Sequence, residues 1–227
     1  GKGALSTATN KNSNTAVGHN AAGLASGSNL TAIGTHALQN CTANTLVAVG
    51  NYALNDNTSG VENVAVGANA LDVNTTGSRN TALGNGALGE NTTADNNTGL
   101  GYLALTTNTT GAANTAAGRQ ALQLNTTANN NTGLGALALQ TNTTGAEQVA
   151  VGAQALDANT TGTKNTAVGY GALTSNTTGG FNTAVGQQAL ATNTTGENNV
   201  AVGQNALNEN VAGNNTAVGH KALRVNS

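Results

Sequence analysis

The chain has 227 residues and a formal net charge of −2, and only 7% of its residues are charged. Ala, Asn, Thr and Gly make up most of it, Pro, Met and Trp are absent, and the aromatics are one Phe and three Tyr. So few basic groups exclude an electrostatic nucleic-acid face, the lack of a long apolar run excludes a membrane-inserted helix, and the charge or Pro bias of a disordered chain is missing as well.

A composition this narrow points to a strict repeat. A core of the form Thr-Ala-Val-Gly-x-x-Ala-Leu recurs, with its glycines at Gly1, Gly18, Gly34, Gly50, Gly67, Gly84, Gly101, Gly118, Gly135, Gly152, Gly169, Gly186, Gly203 and Gly219. Ten of the thirteen spacings are 17 residues and three are 16. Positions are counted below from this glycine, taken as 0. A unit of this length is too short for a helix pair and suits one coil of a β-solenoid.

In chain order, the first copies are the least regular, and Cys41 stands there at +7, too isolated for an internal disulfide. From Asn57 onward, +7 is Asn, usually followed by Thr-Thr-Gly, as at Asn74 and Asn176. Ala at +3 and Leu at +4 follow the glycine with one exception, as in Gly67 with Ala70 and Leu71, or Gly169 with Ala172 and Leu173. Position −1 is aliphatic, as at Val168, −3 is Thr or Val, and −2 is Ala or Gly.

This period-two alternation predicts a short strand in every unit. Its two faces differ, one β-branched or aliphatic, the other Ala and Gly. The expected arrangement places −3, −1 and Leu +4 in the coil interior, leaving the Ala/Gly face for close approach by a second or third copy. Asn and Gly at +7 to +10 predict the turn, since both tolerate left-handed backbone. Stacking of coils at about 4.8 Å would let those Asn side chains form amide ladders. The predicted fold is all-β, a parallel β-solenoid with one coil per 16–17-residue repeat. It forms a single array over 1–227, about 13 coils long, and its incomplete first and last units read as a slice of a longer array.

The runs Asn-Thr-Ala-Val-Gly-x-x-Ala-Leu at 165–173, 182–190 and 215–223 resemble the Asn/Thr/Gly-rich repeats of bacteriophage tail-fibre-like proteins. With the Val-Ala-Val-Gly cores at Val64 to Gly67 and Val200 to Gly203, they are also similar to the head domains of trimeric autotransporter adhesins. The resemblance covers essentially all of 1–227. It implies a left-handed β-roll, a homotrimer, and a role in attachment at an extracellular or virion surface. The unit here is longer than in adhesin heads by the Asn-Thr-Thr-Gly of its turn.

Few residues have the types that carry chemistry. His19 and His36 lie in adjacent coils at +1 and +2, the one pairing with metal-ligand potential, yet no acid or Cys recurs with them. No metal site and no cofactor is predicted. Tyr52, Tyr102 and Tyr170 occupy +1 or +2 and are candidates for stacking on sugar rings. The acids are scattered, and the many Thr hydroxyls lack an activating His, so no catalysis is expected. Sequons such as those at Asn57 and Asn74 follow from the Asn of the turn.

The expected function is a non-catalytic structural or adhesive fibre segment, a trimeric shaft or head. It would space or present a tip outside this chain that binds a cell-surface glycan or receptor, with neither nucleic acid nor membrane insertion involved. The alternatives are an end-to-end polymerising extracellular filament, or a glycan-binding surface. An ice-binding surface ranks below these, because the strand lacks Thr-x-Thr.

Overall fold

The computed structural model describes residues 1–6 and 12–226. The chain divides into two compact units, Gly1–Ala113 and Asn114–Ser227. The first holds six strands, β1 (Thr15–Val17), β2 (Leu30–Ile33), β3 (Leu46–Val49), β4 (Val64–Val66), β5 (Thr81–Leu83) and β6 (Thr98–Leu100). Each pairs in parallel with the next, in register, so that Ala16 faces Ala32 and Val17 faces Ile33. The second unit repeats the scheme with β7 (Thr115–Ala117), β8 (Thr132–Leu134), β9 (Val149–Val151), β10 (Thr166–Val168), β11 (Thr183–Val185) and β12 (Val200–Val202). There β13 (Glu209–Asn210) and β15 (Val225–Asn226) form a separate pair, and β14 (Thr216–Val218) extends the main sheet from β12. Both units are parallel β-solenoids with one main-sheet strand per repeat.

The strand alternation is as expected, but its two faces are exchanged. The −2 residues Ala32, Ala65, Ala167 and Ala184 are fully buried, whereas Val17, Leu83 and Val218 at −1 are 58%, 50% and 69% exposed. The cause is the narrow coil. The +4 leucines from Leu38 to Leu207, Leu71 and Leu173 among them, point inward and have no exposure, and they take most of the section. A Cβ at Gly99 would lie 3.3 Å from Leu88 Cγ, and one at Gly133 would lie 3.4 Å from Leu122 Cγ. A methyl group fills that space, and a β-branched side chain has no room in it.

The anchor glycines also work within one chain rather than between chains. Gly67 has φ of 139°, and a Cβ there would stand 2.4 Å from the carbonyl oxygen of Gly84 in the next coil. Three further left-handed residues turn each coil, for example Glu62, Asn69 and Leu71 at φ 59°, 55° and 51°. A left-handed Leu costs roughly 1–2 kcal/mol. It persists because its N–H bonds forward to Ala87 O at 3.1 Å while its side chain fills the core.

Asn supplies the rest of the interior. At +7, Asn74 Nδ2 donates to Asn57 Oδ1 at 2.7 Å and to Gly77 O at 2.9 Å. A second column stands at −4. The Asn80 N–H donates to Asn63 Oδ1 at 2.8 Å, and Asn63 Nδ2 donates to Gly77 O at 2.7 Å. From Asn57 to Asn210 both columns are buried, so their amides depend on partners inside the solenoid, and only Asn193 Oδ1 among them lacks one. The two 16-residue coils that start at Gly18 and Gly34 carry Ala25 with Leu30 and Cys41 with Leu46 at these positions, all buried. Cys41 accordingly sits in the core, with its Sγ donating weakly to Ala43 O at 3.5 Å.

Candidate functional site

Because Ala points inward, each strand turns its larger side chains outward. In the first unit these pairs are Thr15/Val17, Thr31/Ile33, Val47/Val49, Val64/Val66, Thr81/Leu83 and Thr98/Leu100. In the second they include Thr166/Val168, Thr183/Val185 and Val200/Val202. Parallel in-register pairing stacks like on like, which makes a stripe of Thr and aliphatic side chains along the sheet of each unit. No charged residue interrupts it on β1 to β12 or on β14. The stripe is uncharged and mixes Thr hydroxyls with aliphatic side chains.

The sequence-selected residues fall elsewhere. Tyr52, Tyr102 and Tyr170 are exposed on the turn that leaves the strand. Tyr102 stands three coils from Tyr52 within the first unit, so these two do not form one stacking platform. Tyr52 instead stacks on His36, with ring centroids 4.9 Å apart and planes 17° from parallel. The same His36 meets His19 edge to face, at 5.5 Å and 83°. Gly67, Ala70, Leu71, Asn74, Val168, Gly169, Ala172, Leu173 and Asn176 are structural, and all but Val168 and the two glycines are fully buried. Burial of Asn57, Asn74 and Asn91 closes those sequons to modification in the folded chain.

The turn hydroxyls are partly engaged. Thr75 and Thr160 Oγ1 each donate at 3.0 Å to the carbonyl one coil on, leaving Thr76 and Thr161 exposed beside them. Ion pairs are few and open to solvent, such as Arg79–Asp95 at 3.2 Å, and pairs of this kind contribute little. Lys164 lies 3.9 Å from Glu147 and 5.3 Å above the Phe181 ring. Among the described residues there is no group of three or more His, Cys, Asp or Glu side chains placed to hold a metal, and no pocket.

Two acids have altered titration. Burial pushes the Asp72 carboxyl above its ordinary value, with a smaller contribution from the charge of Asp56, and burial alone does the same for Asp157. Asp157 Oδ1 is buried without a hydrogen-bond partner. A carboxyl raised in the folded state favours folding in acid, and that contribution is lost as pH rises from the ordinary 3.8 through the folded value. Asp157→Asn is therefore expected to be more stable than the parent at neutral pH, with the difference shrinking towards about pH 3.5. Urea midpoints at the two pH values check this, and a variant less stable at neutral pH contradicts it.

Sequence reasoning missed the outward stripe and the −4 Asn column. The second was visible as the Asn preceding most strands, for example Asn165. Comparison with known proteins finds no matching family model, no similar curated protein and no similar solved structure.

Proposed function

We propose that the chain is a non-catalytic structural segment of an extracellular or virion-surface fibre, in which three copies associate through the outward strand faces. The observation that carries this reading is the uncharged Thr/aliphatic stripe. Most backbone groups and buried Asn amides bond to neighbouring coils of the same chain, so the stripe of outward strand side chains is the surface left for a partner. In this role the solenoid spaces or presents a tip that contacts a cell-surface glycan or receptor. The resemblance of the Asn-Thr-Ala-Val-Gly-x-x-Ala-Leu core to tail-fibre-like and adhesin-head repeats supports the same assignment. The interface differs from the one expected on sequence grounds, because aliphatic side chains, rather than Ala and Gly, meet between chains. Sedimentation equilibrium of the full chain is expected to give the trimer mass, and a monomer at all concentrations would contradict the reading.

A further inference from the structure

We propose that His19 and His36 form a two-histidine site for a late first-row divalent cation, Cu²⁺, Ni²⁺ or Zn²⁺, linking two neighbouring coils of the first unit. The two residues come from successive coils, and the His36 N–H donates to His19 O at 3.0 Å, which fixes their register. Their ring centroids are 5.5 Å apart. Two imidazoles sharing one ion at N–metal distances of about 2.0–2.1 Å place their centroids about 5 Å apart, so the separation suits a shared ion once the two rings turn their nitrogens towards it.

The His36 ring has neighbours on its own turn and on the next coil. Its ring stacks on Tyr52, and its Nδ1 lies 2.5 Å from Gln39 Oε1. That oxygen can only accept, so Nδ1 carries the proton and Nε2 presents its lone pair. His19 is exposed and His36 half-buried, leaving solvent to complete the coordination. Imidazole donors suit these ions and not the hard cations. The site also falls where a cross-coil link has most to add. The coils that start at Gly18 and Gly34 are the two that carry Ala25/Leu30 and Cys41/Leu46 in place of the paired Asn columns.

Titration of the full chain with Cu²⁺, read by paramagnetic resonance, tests the site. The expected spectrum shows two nitrogen donors. Single His19→Ala and His36→Ala substitutions each weaken Cu²⁺ binding at least about tenfold, and Gln39→Ala weakens it about tenfold through loss of orientation. His220→Ala leaves it unchanged. A one-nitrogen spectrum, affinity unaffected by His19→Ala or His36→Ala, or an equal loss in His220→Ala overturns the proposal.

Discussion

Gly169→Ala is expected to abolish cooperative folding of the second unit. The new methyl would stand 2.6 Å from both the carbonyl carbon and oxygen of Gly186 and 3.0 Å from Gln187 N. All three are backbone atoms of the next coil. The residue also sits at φ of 134°, a conformation that costs any side chain. Neither coil can retreat, because the Gly169 and Gly186 N–H groups bond to the preceding coils at 2.7 Å. The loss should exceed about 4 kcal/mol, the range reserved for gross steric or core damage. Gly171 supplies the control. It lies at φ of 62°, and a Cβ there meets only Gln188 Cγ at 3.6 Å. The equivalent position elsewhere holds Asn69, Gln154 or Lys221. Gly171→Asn should therefore change stability by no more than about 0.5 kcal/mol. Urea denaturation followed by circular dichroism separates the two, and similar midpoints would refute the stacking argument.

The second large effect is expected from a charge in the amide column. Asn159 Nδ2 donates to Asn142 Oδ1 at 2.8 Å and to Gly162 O at 3.1 Å, and its Oδ1 accepts from Asn176 Nδ2 at 2.8 Å. Asn159→Asp keeps the shape but turns a donor into an acceptor opposite two oxygens. It also buries a charge with no counter-ion, which costs about 3–5 kcal/mol. Protonating the carboxyl restores one donor, so the variant should recover part of its stability as pH falls below its raised pKa. Denaturant midpoints measured across pH check both statements, and a variant as stable as the parent at neutral pH would mean that the column is not buried.

How far the sequence could be read depended on which physical quantity it encodes. The 16–17-residue period, the short strand in each unit and the stacked Asn at +7 follow from spacing, and spacing is explicit in the chain. Which strand face points inward depends on volume. Hydropathy ranks Val above Ala for the interior, but Leu at +4 and two Asn side chains already occupy this coil. Only a methyl fits beside Leu88 or Leu122, and no local pattern announces that. The left-handed Leu residues were equally hidden, since Leu prefers other backbone regions. At the candidate site, the adjacency of His19 and His36 could be read from coil spacing. The parts played by Tyr52 and Gln39 depend on side-chain directions around the turn. One signal was present but unused: Ala25 with Leu30, and Cys41 with Leu46, change together. The residues at +7 and −4 meet inside the coil, as Gln148 Nε2 and Asn142 Oδ1 do at 3.0 Å, so an apolar residue in one column requires an apolar partner in the other.

The outward face of the strands is the feature on which the functional reading rests, and a charge placed there tests it most directly. Val168 lies at the centre of that face in the second unit and Ala167 beside it points inward. Sedimentation equilibrium of the parent and of Val168→Lys, run side by side with circular dichroism, is the decisive comparison. The expected result is a trimeric parent and a dissociated variant that keeps its β-sheet spectrum. A monomeric parent, or a Val168→Lys chain that remains fully trimeric, would contradict the account.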